Sequence, residues 1–128
     1  GAGVVVASLT PLGDIILELK RHLRLAHLRV AVAPSHRAGD PVRRIAVCAG
    51  SGGAVFERAG NADLYVTGEL GHHHVLAKLQ AGASVILTEH SNSERGYLPR
   101  LRERLLAATQ GAIDVQVAMS DIEPLGVV

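Results

Sequence analysis

One cysteine, no tryptophan, two tyrosines and one phenylalanine are spread over 128 residues. The lone Cys48 rules out an internal disulfide framework and is compatible with a reducing compartment. So few aromatics make a stacking platform for single-stranded nucleic acid improbable. Thirteen basic against twelve acidic residues leave a net charge of +1. That balance makes no overall electrostatic case for nucleic acid or a membrane surface as a direct partner. No apolar run approaches the roughly 20 residues of a membrane span, and no charged start followed by an apolar stretch marks a signal peptide. There is no initiator methionine, and Gly1-Ala2-Gly3 runs directly into a strand-like segment, as expected of a fragment or a processed product. What is present is globular: 48% hydrophobic and 20% charged residues, in a length that fits one domain with a real core.

Short apolar runs alternate with helical patterns along the chain. Val4 to Ala7 reads as a buried strand. Thr10 offers an N-cap and Pro11 a first helical position, followed by Leu12, Ile15, Ile16, Leu19 and Leu23 at helical spacing. Leu28 to Ala33 reads as a strand ended by Pro34, and Ser35 to Pro41 as an exposed connection. Arg44 to Ala49 is a strand closed by Gly50-Ser51-Gly52-Gly53. A short helix to Ala59 and a turn at Gly60-Asn61 lead to a strand at Leu64 to Val66. A helix from His73 to Gln80 and a strand from Val85 to Leu87 come next. The spacing predicts an amphipathic helix over Leu98 to Gln110, with Leu101, Leu105 and Leu106 inward and Arg100, Arg102, Glu103 and Arg104 outward. Val115 to Met119 reads as a last strand. The alternation predicts a single α/β domain over residues 1–128, a three-layer α/β/α arrangement around a mostly parallel sheet.

Two polar clusters follow neighbouring strands. Thr67-Gly68-Glu69 precedes His72-His73-His74, and Thr88-Glu89-His90-Ser91-Asn92-Ser93-Glu94-Arg95-Gly96 spans a strand-to-helix turn. Open α/β sheets bind ligands beyond the carboxyl ends of their strands, so the two clusters mark a candidate site. His90 stands four residues before Glu94, and imidazole and carboxylate are both ordinary ligands for first-row divalent metals. A second reading stays open: Ser91-Asn92-Ser93-Glu94 fits a capping box, in which Glu94 reaches back to a backbone N–H. Glu69 and Glu89 are candidates for proton transfer, or for orienting a ligand histidine.

The remaining motifs have simpler readings. Consecutive helical residues point about 100° apart, so at most one or two of His72 to His74 could face one ion; His72 reads as capping or flanking the helix and the others as solvated. Gly50-Ser51-Gly52-Gly53 lacks the third glycine of a dinucleotide fingerprint and the Lys-Ser/Thr of a P-loop, and reads as a tight strand–helix turn. Cys48 reads as a small core residue.

Ala62 to Glu69, the histidines that follow, and Glu89-His90-Ser91-Asn92-Ser93-Glu94-Arg95-Gly96 closely resemble the Nif-three-like family (NGG-one-interacting factor three). Cys48 to Gly52 and the ending from Asp121 to Val128 are similar too, especially to eukaryotic members. The family is also labelled a type-two group of GTP cyclohydrolase I homologues. The resemblance implies a dinuclear metal site in a cleft between two α/β lobes, with His90 and Glu94 as ligands. It implies two divalent ions per intact site, among which zinc, iron and manganese are not distinguished. The family's other ligands, an adjacent histidine pair and an aspartate, belong to an N-terminal half that this chain does not contain, so the chain resembles a C-terminal lobe. His72 to His74 fall in the Thr-Gly-Glu segment and do not stand for that pair.

Two functions are expected from this resemblance. One is half of a metal-dependent, hydrolase-like site, for which the cyclohydrolase label implies a nucleotide-like small molecule. The other is an interaction module for transcriptional-regulator proteins, without catalysis. A homo-oligomer in the cytoplasm, or in the nucleus with such a partner, completes the expectation.

Overall fold

The structure is a computed structural model and describes residues 2–125. Its elements in chain order are β1 (Gly3–Thr10), α1 (Leu12–Leu23), β2 (Arg29–Ala31), α2 (Pro34–Arg37), β3 (Val42–Ser51), α3 (Gly53–Phe56), β4 (Leu64–Glu69), α4 (His72–Gln80), β5 (Ser84–Leu87), α5 (His90–Arg95) and α6 (Leu98–Ala108). The strands form one sheet in the order β1-β3-β4-β5-β2. It is parallel through its middle, where β4 pairs with both β3 and β5, and antiparallel at both edges, where β1 pairs with β3 and β2 with β5.

Side chains alternate across the central strands and build a core on each face. On one face Leu12 of α1, with Ile15, Ile16 and Leu19 behind it, packs on Val42, Leu64, Val66 and Ile86. On the other, Phe56 of α3 and Val75 of α4 pack with Ala46, Cys48, Tyr65, Val85 and Leu87. The α/β expectation therefore holds, and the reason is visible in β4 and β5. Every residue from Leu64 to Gly68 and from Ser84 to Leu87 is buried, so these strands need cover on both faces. Cys48 is buried in the core, as its mid-strand position suggested.

Four local expectations are corrected. Val4 to Ala7 forms a strand, but an exposed outer one and not a buried one, with Val4, Val5 and Val6 55%, 37% and 42% exposed. The first helix is capped by Pro11, whose carbonyl accepts from Asp14 N–H, and Thr10 stays in β1. Val115 to Met119 forms no strand. It carries strand propensity but pairs with no edge: beyond Gly111 (φ +76°) it runs along α6, and Arg102 Nε donates to the Val115 carbonyl at 2.7 Å. Strand propensity becomes a strand only where a hydrogen-bonding partner is within reach. Finally, α6 buries no residue. Leu101 and Leu105 are 38% and 40% exposed, so their amphipathic spacing is not satisfied by the sheet. Val127 and Val128, which took part in the family resemblance, lie outside the described residues.

Candidate functional site

Because β3, β4 and β5 are parallel, their carboxyl ends meet at one edge of the sheet. The register of β3 on β4 slips between Cys48 and Ser51, and Gly50 takes φ +67° within that slip. Side chains then pin the slipped backbone. Buried Thr67 donates its hydroxyl to the Gly50 carbonyl at 3.0 Å. Ser93 Oγ accepts from Gly50 N–H at 2.7 Å and donates to the His90 carbonyl at 2.6 Å. The end of β3 and the start of α5 are thus tied through one hydroxyl.

Two glycines make this approach possible. A Cβ on Gly68 would lie 2.7 Å from the Gly50 carbonyl, 2.7 Å from Ser93 Oγ and 2.9 Å from His90 Cα. Gly68 therefore serves close contact between three elements; its own φ is not positive. A Cβ on Gly50 would lie 2.8 Å from Glu94 Oε1 and 3.1 Å from His90 Nε2. The absent side chain lets both side chains approach the Gly50 backbone closely.

The structure brings Glu69, His90 and Glu94 together. His90 Nδ1 is 3.0 Å from Glu69 Oε1, and Nε2 is 3.6 Å from Glu94 Oε1. The hydrogen bond to Glu69 is the largest cause raising the His90 pKa above 6.5; partial desolvation opposes it, and the charges of Glu94, Glu69 and Glu123 add to the rise. With Nδ1 engaged by Glu69, Nε2 is the free ring nitrogen, the arrangement in which a carboxylate orients a ligating histidine. Among the described residues no group of three or more His, Cys, Asp or Glu side chains converges to hold a metal. The donor chemistry fits a divalent metal as a pair, with the remaining coordination positions open.

Glu89 is placed differently. It occupies the N-cap of α5 at φ 69°, ψ 152°, and its Oε1 is 2.9 Å from Arg29 Nε on β2. This backbone region is essentially restricted to glycine and costs about 1–3 kcal/mol for other residues. Glu89 is thus ion-paired with Arg29, whereas Glu69 is the carboxylate on His90.

The capping-box alternative is not what forms. The helix starts at His90, earlier than the box requires, and no side chain caps it. Ser93 is spent on Gly50, and Glu94 faces His90. His72, His73 and His74 are exposed at the start of α4, as the solvated reading held. Sequence reasoning missed Thr67 and Ser93 as the residues that pin Gly50, and it gave Arg95 no partner. Arg95 forks onto Asp121, with Nε to Oδ2 at 2.9 Å and Nη2 to Oδ1 at 3.1 Å. That hydrogen bond, with the guanidinium charge, lowers the Asp121 pKa against a smaller opposing desolvation. Only the density of polar residues around His90 hinted at these contacts.

Known proteins share this chain. A family model described as Duf34/NIF3 (NGG1p interacting factor 3) matches residues 1–125. NIF3-like protein 1 of Rattus norvegicus is 45% identical over 117 residues, which take in 91% of this chain and 31% of the relative. NGG1-interacting factor 3 of Saccharomyces cerevisiae is 40% identical over 119 residues, covering 91% of this chain and 41% of the relative. The chain thus spans well under half the length of these relatives. The fold is shared with a crystal structure of a Bacillus cereus protein related to NIF3, at a TM-score of 0.77 and 23% identity, over 100% of this chain and 36% of that one. With a family model matched across residues 1–125, the chain belongs to the Duf34/NIF3 (NGG1p interacting factor 3) family.

Proposed function

We propose that this chain is the C-terminal lobe of a two-lobed protein and forms one wall of a divalent-metal site with hydrolase-like chemistry. His90 Nε2 and Glu94 would be ligands, and Glu69 would orient the imidazole through Nδ1. The observation that carries the reading is the convergence of His90 Nε2 and Glu94 Oε1 over Gly50, both so close to its backbone that a Cβ there would stand 3.1 and 2.8 Å from them. Two donors leave at least two coordination positions to other groups, since such sites take four or more ligands. That shortfall agrees with a chain that spans 31% of its rat relative. A divalent ion bound there would acidify a water and polarise a substrate carbonyl or phosphoryl oxygen. Zinc, iron and manganese all suit nitrogen and oxygen donors.

The protein's own groups supply the rest. Glu69 holds the imidazole tautomer and can exchange a proton with Nδ1. Glu89, tied to Arg29, steadies the turn that presents His90 and is the weaker candidate for proton transfer. A nucleotide-like substrate is supported by the family label alone, and no residue of the site is assigned to a base or ribose. Metal content and affinity of the intact two-lobed protein, wild type against His90→Ala and Glu94→Gln, test the ligand roles. Equal stoichiometry and affinity in all three would end the reading.

A second reading has support in the name of the yeast relative, an interacting factor for NGG1. On this reading the chain is a docking module for a transcriptional regulator, in the cytoplasm or nucleus, and works without the metal pair. Among the described residues no helix is long and apolar enough to cross a membrane. Capture of a regulator by folded protein carrying both His90→Ala and Glu94→Gln discriminates: undiminished capture favours the module, and loss counts against it.

A further inference from the structure

The short helix α5 carries both proposed ligands but has little means of holding itself. It is six residues long, has no side-chain cap, and starts from a strained Glu89. An isolated helix of this length is not stable in water, so its geometry comes from tertiary anchors. Ser93 anchors its middle to Gly50. A further anchor, at its C-terminal end, comes from far along the chain.

Arg95, the last residue of α5, sits between its own helix and the segment after α6. Nη1 donates to Asn92 Oδ1 at 2.9 Å, which braces the guanidinium along the helix. Nε and Nη2 grip both oxygens of Asp121 at 2.9 and 3.1 Å. Glu123 Oε2 lies 3.6 Å from Nη1 and is buried with no hydrogen-bond partner among the described residues. Arg95 and Glu123 keep only 21% and 16% of their side chains exposed. A segment without secondary structure thus places two carboxylates on one guanidinium, at the end of the helix that bears the candidate ligands.

We propose that Arg95 is a positioning residue, and that Asp121 and Glu123 form a carboxylate strap which locks α5 and so sets the geometry of the His90–Glu94 pair. The inference rests on the metal reading for its purpose and on the contacts alone for its mechanics. The His90–Glu94 spacing of four residues gives one donor separation only while the turn between them is intact. A helix rises about 1.5 Å per residue, so fraying of that turn would move Glu94 out of reach of a shared ion. A two-point fork fixes direction as well as distance, which the point charge of a lysine does not reproduce.

The test uses Arg95→Lys, Asp121→Asn and Glu123→Gln in the intact two-lobed protein, with cobalt(II) as the probe metal. Amide hydrogen exchange of residues 90–95 is read by NMR in the metal-free protein, with the buried amides of β4 and β5 as internal reference. Cobalt affinity is read by absorption titration. Exchange across 90–95 is expected to rise in each variant while the reference strands stay protected. Cobalt affinity is expected to fall roughly 10- to 100-fold, as when a group that orients a ligand is lost. Lysine at position 95 is expected to rescue neither readout. Unchanged exchange in 90–95 would overturn the strap, and raised exchange with unchanged cobalt affinity would overturn its positioning role. Raised exchange in a protein whose wild type takes no cobalt supports the strap as a clamp on α5 and refutes the metal reading instead.

Discussion

Alanine at position 50 would meet two separate obstacles. The first is the backbone: φ is +67°, a left-handed conformation that costs an L-residue about 1–2 kcal/mol. The second is the site itself, because the new Cβ would stand 2.8 Å from Glu94 Oε1 and 3.1 Å from His90 Nε2. The Glu94 side chain is 53% exposed and can swing aside at little cost to folding, so the contact adds little to the stability loss. It would move the carboxylate out of the ligand position, so the main effect falls on metal binding. Gly82 separates the two effects, since its φ is +83° and a Cβ there meets nothing within 4 Å. Gly50→Ala and Gly82→Ala should therefore each lose about 1–2 kcal/mol, at roughly 3–6 °C of melting temperature per kcal/mol for a chain of this size. Only Gly50→Ala should also lose metal affinity, by titration calorimetry at constant pH. Wild-type affinity in Gly50→Ala would refute the claim that the missing side chain lets His90 and Glu94 take their ligand positions. An equal loss of affinity in Gly82→Ala would refute it as well.

Gly68→Ala should be more damaging, by about 3 kcal/mol in urea denaturation, because its Cβ meets the Gly50 carbonyl and His90 Cα, backbone atoms that cannot swing aside. A variant within about 1 kcal/mol of wild type would show that the strand ends separate easily. Glu89→Gly trades a partly exposed ion pair with Arg29, worth about 1 kcal/mol or less, against strain of about 1–3 kcal/mol. Strain wins, so stability should hold or rise by up to about 1 kcal/mol even after the added chain entropy of glycine; a clear loss would mean that Glu89 is not strained. Glu69→Gln should lower the His90 pKa in chelator-treated protein, followed by NMR titration of the imidazole, since the Glu69 hydrogen bond is the leading cause of the rise. A raised folded pKa means that the Glu69–His90 pair stabilises the fold fully below about pH 6.5 and loses that contribution as pH rises through the raised value, so Glu69→Gln should flatten this slope. An unmoved His90 titration would assign the rise to the other charges.

Much of the fold and part of the site could be read from spacing. Leu12, Ile15, Ile16 and Leu19 predicted the buried face of α1, and unbroken apolar runs predicted central strands covered on both sides. Thr67-Gly68-Glu69 and His90 with Glu94 were placed at neighbouring strand ends, and they meet there. The errors came where a local pattern had more than one possible partner. Val115 to Met119 has strand spacing and finds α6 instead of a sheet edge. Ser91 to Glu94 has capping spacing, yet Ser93 serves Gly50, which is 43 residues away.

The order of residues was enough to set the α/β alternation, the apolar faces and the two polar clusters, because helix and strand periods and turn chemistry act over a few residues. Strand order, the antiparallel edges, the pairing of Glu69 with His90 and of Glu89 with Arg29, and the fork of Arg95 on Asp121 were decided only in three dimensions. The reason is distance along the chain. Each of these contacts joins residues 18 to 60 positions apart, beyond the reach of local patterns.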